Sequence, residues 1–182
     1  MLIAPPPRLR NSPRSLSALE LEHLIPELTG LLADSVSRGA SLGFIAPLPY
    51  RDGEVYWRSL MPELQAGSRL LLAAFVEGQL LGSGQLAFPT WPNARHRVEI
   101  QKLFVAAEVR GRGVGRSLMT ALHLAARQRG RSLVVLGTRR GDPAEGFYKQ
   151  LGYREGGVIP GYTRDAAGKS HDNVSMYRPL PP

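Results

Sequence analysis

Residues 98–119 read Val98-Glu-Ile-Gln-Lys-Leu-Phe-Val-Ala-Ala-Glu-Val-Arg-Gly-Arg-Gly-Val-Gly-Arg-Ser-Leu-Met119, a strand pattern followed by a glycine-rich loop and a helix pattern. The strand is predicted over Arg97–Val105 and the helix over Gly113–Arg129, where Gly130 ends it. Three glycines remove side chains from the loop, so several backbone N–H groups at the helix start can point at one anion. Formal positive charge is added by Arg110, Arg112 and Arg116. The stretch therefore predicts a cradle for a pyrophosphate.

Three other interpretations of a glycine-rich loop fit this one less well. The dinucleotide-binding fingerprint has a different glycine spacing and needs an acidic residue about 20 residues further on, which is missing here. A Walker loop ends in Gly-Lys-Ser or Gly-Lys-Thr, whereas Arg116 follows Gly115 in this chain. An ordinary glycine-rich turn would not explain why arginines surround the glycines.

The positive charge of the chain is concentrated around this loop. The formal net charge is +8, and the window from Arg110 to Arg140 contains eight arginines and no acidic residue. The rest of the sequence holds 15 basic and 15 acidic residues, so the whole excess lies in the window. A local excess favours one anionic ligand, and the window lacks the interleaved aromatic residues on which single-stranded nucleic acid stacks. We therefore expect no nucleic-acid partner.

The composition narrows the class of protein further. A length of 182 residues fits one domain, and the absence of cysteine excludes disulfides, thiolate metal sites and a cysteine nucleophile. The four histidines have no second ligand at metal spacing, so no metal is expected. No apolar run approaches the roughly 20 residues that cross a membrane, and the proline-rich start does not resemble a signal peptide. We expect a cytoplasmic protein with no membrane partner, and the sequence leaves a homodimer open.

The segments before the loop predict two helices and a hairpin. A capping box at Ser17-Ala-Leu-Glu20 begins a helix over residues 17–38, which Pro26 should kink or split. A second helix is predicted over Asp52–Gln65, although Pro62 weakens the pattern. The predicted strands of this half are a short one at Arg8–Asn11 and the arms of a hairpin, 70–76 and 80–88.

The segments after the loop predict a strand, a short helix and a closing hairpin. Leu133–Leu136 is a continuous apolar run, as expected of a strand buried on both faces. The helix is predicted over Pro143–Leu151 with Asp142 as its N-cap. The closing hairpin pairs Val158–Arg164 with Asn173–Arg178, and the end at Pro179–Pro182 is predicted to fray. The order of elements indicates a mixed α/β fold with a partly antiparallel sheet.

The stretch quoted first resembles the acetyl-CoA-binding motif of the GNAT superfamily of N-acetyltransferases, in which Arg110-x-x-Gly113-x-Gly115 matches the phosphate-loop pattern. A second stretch, Ala144-Glu-Gly-Phe-Tyr-Lys-Gln-Leu-Gly-Tyr153, resembles the superfamily's next motif. The resemblance implies a GNAT-type mixed, partly antiparallel sheet flanked by helices, and acetyl-CoA as the co-substrate that acetylates a primary amine by direct attack. It places three parts in a single domain over residues 1–182: the acetyl-CoA motif (98–130), the C-terminal motif (142–153) and the closing hairpin (158–180).

A narrower resemblance extends almost from end to end. It is carried in addition by Arg38-Gly-Ala-Ser-Leu-Gly-Phe44, Glu99-Ile-Gln-Lys-Leu103 and Pro160-Gly-Tyr162. These stretches are similar to tabtoxin-resistance-type acetyltransferases, which implies a small amino-acid-like molecule as the amine substrate. Acceptor choice changes easily on one fold, so a protein or peptide N-acetyltransferase and a degenerate acyl-CoA-binding sensor remain alternatives. An acceptor cleft is expected between residues 39–50 and 159–175.

The superfamily resemblance also implies roles for individual residues. Backbone groups for the pantetheine arm and the thioester carbonyl would come from Leu103, Phe104 and Val105. The pyrophosphate would be held by Arg110, Gly111, Arg112, Gly113, Val114, Gly115 and Arg116. Tyr148 would stand near the sulfur, where a hydroxyl with a pKa of about 10 can protonate a leaving thiolate whose conjugate acid has a pKa of about 8.5. The alternative for Tyr148 is a core aromatic residue beside Phe147.

Glu99 is the candidate general base, because an ammonium must lose a proton before it attacks and a strand carboxylate can take that proton through water. It alternates with Ile100 and should face the other side of the sheet. The alternative is a structural carboxylate paired with Arg97. The Asp that tabtoxin-type enzymes carry is missing, since the triplet here is Leu136-Gly137-Thr138, and Gly141 replaces a superfamily Asn. Weaker candidates for the acceptor cleft are Trp57, Trp91 and His171.

Overall fold

Seven strands form one sheet in the computed structural model, which describes residues 11–181. The strands are β1 (Asn11–Leu16), β2 (Arg69–Val76), β3 (Gln79–Ala87), β4 (Arg97–Val105), β5 (Leu133–Arg139), β6 (Arg154–Arg164) and β7 (Ser170–Pro179). The helices are α1 (Ala18–Ser37), α2 (Tyr50–Ser59), α3 (Met61–Gln65), α4 (Val114–Gln128) and α5 (Pro143–Gln150). The strand order is β1-β2-β3-β4-β5-β7-β6, and the predicted mixed, partly antiparallel sheet flanked by helices is confirmed.

The parallel pair β4 and β5 positions the site. All other neighbouring strands pair antiparallel. The parallel pairing spans only three positions, from Arg97 opposite Leu133 to Glu99 opposite Val135. Beyond Glu99 the two strands have no ladder between them, so the sheet opens into a cleft at their carboxyl ends.

Helices cover both faces of the sheet, and each face has its own apolar cluster. On one face α4 contributes Leu118 and Leu122, which pack with Val98 and Ile100 of β4 and with strand residues on either side. On the other face α1 and α2 bury Trp57 together with Phe104 and residues of β1 and β2. The residues of α1 that face this cluster are Leu21, Ile25, Leu28, Leu32 and Val36.

The first predicted helix is confirmed, and of the two effects predicted for Pro26, a kink or a split, the split does not occur. The Ser17 hydroxyl accepts from the Glu20 N–H, and the Glu20 carboxylate accepts from the Ser17 N–H, so the capping box is present. The helix is not split, because α1 runs through Pro26 without a break. Burial of the apolar stripe on both sides of Pro26 outweighs the loss of one backbone hydrogen bond.

The second predicted helix is two helices. Residues 52–65 were expected to form one helix, but α2 ends at Ser59 and α3 begins at Met61. Pro62 stands in the first turn of α3, where its missing N–H costs nothing. The proline that weakened the pattern therefore starts a new helix.

The hairpins agree with the sequence, and the closing hairpin is longer than predicted. Glu77 and Gly78 have φ of 51° and 82°, as a two-residue turn between β2 and β3 requires. β6 begins four residues before the predicted start, and β7 continues through Pro179, so the predicted fraying there is wrong. Leu180 is buried, and its N–H donates to Ser132 O at 2.8 Å. Of the predicted first strand, residues 8–10 lie outside the described part, and β1 begins at Asn11.

Two local predictions after the loop need correction. The strand at residues 133–136 was expected to be buried on both faces, but only Val134 and Leu136 are buried, because the other face borders the cleft. Asp142 stands at the N-cap of α5 without a side-chain cap bond, and the Glu145 carboxylate instead accepts from Gly141 N at 2.8 Å. Within residues 11–181, no helix is long and apolar enough to cross a membrane.

Candidate active site

A cleft of about 1350 Å³ opens where β4 and β5 diverge. One end, the phosphate end, is formed by residues 109–116 at the start of α4. The other end, the acceptor end, is formed by residues 38–43 after α1 together with Lys102, Gly137 and Asn173. Residues of the β6–β7 hairpin, among them Tyr162, complete that wall, so the predicted acceptor loops do meet at the cleft.

The phosphate end follows from the conformation of two glycines. Gly111 and Gly113 have φ of 74° and 92°, a left-handed region that a side chain disfavours. Gly113 is the N-cap of α4, and the first intrahelical bond runs from Ser117 N to Gly113 O at 3.0 Å. The N–H groups of residues 114–116 precede that bond and have no acceptor within the helix. Together with the positive end of the helix dipole, they form a site for an anion.

The residues predicted to bind the cofactor divide into two sets. The cleft is lined by Leu103, Phe104, Val105, Arg110, Gly111, Gly115 and Arg116. Arg112, Gly113 and Val114 do not line it. The Val114 side chain is buried in the core beneath α4, and Gly113 is the N-cap of that helix. Gly115 lies against the ring of Phe147, since an added Cβ would stand 3.6 Å from its Cζ atom.

The arginine window does not serve a single ligand, so that expectation needs correction. Arg110 and Arg116 line the phosphate end, but Arg129 and Arg131 lie at the far end of α4. Their guanidinium carbons stand 4.6 and 5.3 Å from the centre of the Phe88 ring, as in cation–π contacts. Proximity in the sequence therefore overestimated how many of these arginines can contact one anion.

Tyr148 lies on α5 and lines the cleft, with a side chain only 7% exposed. Burial raises the pKa of its hydroxyl to about 12. The hydroxyl therefore stays protonated at neutral pH, as a proton donor must. Its ring also packs in the core beside Phe147 and Tyr153, with ring centres 5.5 and 5.7 Å away. The catalytic and the packing interpretation are thus compatible.

A hydrogen-bonded group supports Tyr148 from behind. Arg178 can only donate, so its Nη1 donates to His123 Nδ1 at 3.0 Å. This fixes the proton of His123 on Nε2, which donates to the Tyr153 hydroxyl at 2.7 Å. Burial lowers the pKa of His123 to about 4, with Arg178 and Arg127 adding to the shift. His123 is therefore neutral and structural, packed beneath the cleft.

Glu99 lies at the last position of β4 that pairs with β5, where the cleft begins. Val98 and Ile100 belong to the apolar cluster under α4, so Glu99 points to the opposite face of the sheet, as predicted. Glu99 and Arg97 form no ion pair, and Glu99 forms none with any other residue between 11 and 181. The geometry thus removes the alternative of a carboxylate paired with Arg97.

A β-bulge brings Lys102 to the acceptor end. β4 shifts its register against β3, so that Gln101 opposes Gln85 while Phe104 opposes Ser83. Lys102 lies in the shifted segment with φ of 48°. Its Nζ donates to Leu42 O at 2.6 Å. Lys102 was not predicted from the sequence. Two adjacent polar residues in an apolar strand were the available signal, because they break the alternation of a regular strand.

Beneath Lys102, a polar network fixes the same wall of the cleft. Arg69 Nη1 donates to Gln85 Oε1 at 2.8 Å and to Gln101 Oε1 at 3.0 Å. Gln85 is fully buried, and its amide donates to the Tyr56 hydroxyl at 2.8 Å. Because every side chain of this network has a hydrogen-bond partner, the network can be rigid without leaving a buried polar group unsatisfied.

Gly137 faces the cleft, and the side chain of Asn173 covers it. A Cβ built on Gly137 would stand 2.9 Å from Asn173 Oδ1 and 3.2 Å from Nδ2. Both residues line the acceptor end. The space that an aspartate would need at position 137 is thus taken by an amide from β7. This second residue missed by the sequence analysis comes from a strand that is 36 positions further along the chain.

The acetyltransferase (GNAT) family model matches residues 41–153, more than half of the chain. The chain belongs to the GNAT acetyltransferase family. The predicted superfamily and class of enzyme are thereby confirmed. The matched region contains Glu99, the phosphate end and Tyr148, and it ends before the closing hairpin of β6 and β7.

Individual relatives and structures agree with this family. Streptothricin acetyltransferase of Streptomyces lavendulae is 29% identical over 117 residues, which are 64% of this chain and 60% of that protein. A ribosomal-protein-alanine N-acetyltransferase structure from Brucella melitensis has a TM-score of 0.75 at 23% identity, covering 93% of this chain and 99% of that one. A Salmonella typhimurium protein classed among the acetyltransferases, solved with its cofactor acetyl-CoA, has a TM-score of 0.74 at 18% identity over 94% of both chains.

The similarity to curated relatives is partial. This chain matches between 31% and 62% of their length. The two solved structures are less than 25% identical to it and share its fold. The acceptor of this GNAT protein therefore has to be argued from its own residues.

The weaker acceptor candidates of the sequence analysis do not line the cleft. Trp57 is fully buried between α1 and α2, and Trp91 is 73% exposed on the loop after β3. His171 Nε2 forms a hydrogen bond of 2.8 Å with Asp165 Oδ2 in the β6–β7 hairpin. Among residues 11–181, no three His, Cys, Asp or Glu side chains are grouped as a metal site would require.

Proposed function

We propose that this protein transfers the acetyl group of acetyl-CoA to a primary amine of a small molecule by direct attack. The observation that carries the proposal is the position of the cleft. It runs from a helix N-terminus with free N–H groups, along the unpaired edge of β4, to the half-buried carboxylate of Glu99. This arrangement suits a long anionic thioester at one end and a cationic amine at the other.

The cleft has residues suited to each part of acetyl-CoA. The diphosphate would be held by the N–H groups of residues 114–116 with Arg110 and Arg116 beside them. The free backbone edge of residues 103–105 would hold the pantetheine arm, because β5 no longer pairs with it. Bound acetyl-CoA supplies an acyl group that is activated as a thioester.

The proton transfers would be carried by Glu99 and Tyr148. Glu99 accepts a proton from the ammonium of the acceptor through water, which leaves a neutral amine. The amine nitrogen then forms a bond to the thioester carbonyl carbon, the carbon–sulfur bond breaks, and the nitrogen loses its second proton to water. Tyr148 gives its proton to the leaving sulfur and is reprotonated from the solvent. The products are an acetamide and a free thiol, and no covalent acetyl-enzyme is needed.

A small molecule is preferred as the acceptor for two reasons. The narrower resemblance is to enzymes that acetylate a small amino-acid-like molecule, and a relative is named for the small molecule streptothricin. The acceptor end also has two walls, residues 38–43 on one side and the β6–β7 hairpin on the other. The single domain, the cytoplasmic location and the independence from nucleic acid, metal and membrane belong to the same proposal, which leaves a homodimer open.

The test is a screen of primary amines with acetyl-CoA, in which free thiol is measured. The panel should contain amino acids, polyamines, aminoglycosides, streptothricin and short peptides. We expect turnover with small amines and much slower turnover with peptides. Preferred turnover of peptides would make the protein a peptide N-acetyltransferase. Thermal stabilisation by acetyl-CoA without thiol release from any amine would make it an acyl-CoA sensor.

A further inference from the structure

Lys102 is a cation in the wall of the cleft that no carboxylate neutralises. Within residues 11–181 it takes part in no ion pair, and its single hydrogen bond uses one of the three ammonium protons, on the carbonyl of Leu42. The rings of Phe44 and Tyr56 have their centres 5.3 and 5.5 Å from Nζ. Aromatic faces stabilise a cation without cancelling its charge. Two ammonium protons therefore have no hydrogen-bond acceptor within residues 11–181, and Lys102 lines the cleft.

The surroundings of Lys102 make an anionic ligand favourable. Burial lowers the pKa of its ammonium, the Arg69 guanidinium lowers it further, and the Glu99 carboxylate opposes both. A charge that is partly removed from water gains more from a nearby opposite charge than one at the surface. An anionic group that binds at Nζ would stabilise the charged ammonium and so oppose the effect of burial on its pKa.

The backbone conformation that holds Lys102 in this position is energetically unfavourable. A non-glycine residue with φ of 48° is uncommon, and the surrounding structure must stabilise it. The bulge reverses the alternation of β4: Val98, Ile100 and Leu103 pack under α4, while Phe104 packs on the opposite face. As a result Glu99 and Lys102 line the same cleft, although a spacing of three residues would place them on opposite faces of a regular strand.

We propose that Lys102 binds a carboxylate of the acceptor, so that the substrate is a small molecule with a carboxylate as well as the amine to be acetylated. This inference rests on the proposed function, because it assigns the acceptor of that reaction. Glu99 would attract the ammonium of such a molecule, and Lys102 would attract its carboxylate. The acceptor end thus presents one charge of each sign to a zwitterion.

The loop at residues 38–43 is part of the same arrangement. Lys102 holds this loop from β4 through Leu42, and Arg139 holds it from β5, with Nη1 3.4 Å from Gly39 O. The loop therefore bridges the two strands that diverge. Gly43 fits close to the ammonium, because an added Cβ there would stand 2.8 Å from Nζ. Lys102 can thus bind a ligand and keep the wall of the cleft in place at once.

The test compares pairs of acceptors that differ only in the carboxylate. Each amino acid that the screen finds is measured beside its amide and its decarboxylated amine, and glycine, β-alanine and γ-aminobutyrate vary the separation of the two charges. A charged hydrogen bond in a partly buried site corresponds to a preference of about ten- to a hundredfold in kcat/KM. We expect that preference in the wild-type protein, expressed mainly in the acceptor KM. Equal kcat/KM for the acid and its amide would overturn the inference without any variant.

Substitutions assign the preference to this residue. Lys102→Met should remove the preference and leave the KM of acetyl-CoA unchanged, while Lys102→Arg should retain part of it. The matched control is Lys149→Met, because Lys149 is exposed on α5, pairs with Glu145 and does not line the cleft. Thermal stabilisation by acetyl-CoA checks that each variant is folded.

Three results separate the failure of this inference from that of the proposed function. If Lys102→Met slows the acid and the amide equally, Lys102 supports the wall of the cleft and does not bind substrate. If mass spectrometry finds Lys102 itself acetylated after incubation with acetyl-CoA, it is an acceptor and the inference is wrong. If no amine of any kind releases thiol, the proposed function fails first. Rapid turnover of amides, with no preference for the corresponding acids, would overturn this inference and leave the acetyltransferase proposal intact.

Discussion

The two ends of the cleft are built from the chain in different ways. The phosphate end consists of residues 109–116, consecutive residues that share one turn and the start of one helix. The acceptor end combines residues 38–43, Lys102, Gly137 and Asn173, which span more than 130 positions. The first depends on backbone conformation and the second on side chains from separate strands. Binding of acetyl-CoA and choice of acceptor should therefore respond to different substitutions.

The largest effect is expected from Gly113→Val, at the phosphate end. Its φ of 92° is unfavourable for a β-branched residue, and the N-cap of α4 would have to move. A ligand present at about 100 times its Kd stabilises the native state by about 2.7 kcal/mol. We expect the rise in Tm that acetyl-CoA produces to disappear in this variant, as measured by thermal unfolding with and without the ligand.

Gly130→Val is the control for that experiment. Gly130 has φ of 68° and ends the same helix, with open space around its Cα. It should lower the Tm of the unliganded protein by a similar strain and keep the full shift with acetyl-CoA. A full shift in Gly113→Val would remove the argument that the loop holds the diphosphate.

The second largest effect is expected from Tyr148→Phe, between the two ends. Loss of a general acid typically lowers kcat by about 10²- to 10⁴-fold. The ring stays in place, so the KM of acetyl-CoA and of the amine should change little. Steady-state kinetics with an acceptor from the screen measure both constants.

Tyr153→Phe separates the chemistry of Tyr148 from packing. Tyr153 is also buried and loses a hydrogen bond with His123, which should cost about 1 kcal/mol of stability. Its kcat should stay within a few-fold of the wild type. If Tyr153→Phe lowered kcat as much as Tyr148→Phe, the effect of Tyr148→Phe would have to be assigned to packing of the core and not to proton donation.

The sequence predicted the strand, loop and helix that form the phosphate end, because these elements follow one another directly in the chain. The strand Arg97–Val105 and the start of α4 agree with their predicted bounds to within one residue. Lys102 escaped prediction, because the adjacent polar residues Gln101 and Lys102 indicate only an irregular strand, whereas the bulge itself is defined by pairing with β3. Arg129 and Arg131 show the opposite error. They are near in sequence to the phosphate end and far from it along α4.

A smaller effect, about tenfold at neutral pH, is expected from Glu99→Gln at the acceptor end. The substitution keeps the shape and removes the base, so the reaction depends on the fraction of acceptor that is already neutral. That fraction rises tenfold for each pH unit below the pKa of the amine, and the deficit should shrink at high pH. Glu108→Gln, which changes a carboxylate outside the cleft, is the control. A wild-type pH–rate profile in Glu99→Gln would contradict the assignment of the base.

The smallest effect is expected from Gly137→Asp in the Glu99→Gln background. Although the tabtoxin-type enzymes that the sequence resembles carry an aspartate there, the new Cβ would stand 2.9 Å from Asn173 Oδ1, so the amide must move before the carboxylate can reach the acceptor. We expect the activity to stay within about twofold of Glu99→Gln alone, because one displaced side chain costs about as much as one new contact gains. Adding Asn173→Ala clears the space and should raise kcat at neutral pH. Recovery by Gly137→Asp alone would show that Asn173 moves freely. The acceptor end would then tolerate substitutions as readily as a loop does. The two ends of the cleft would differ in rigidity as well as in how the chain forms them.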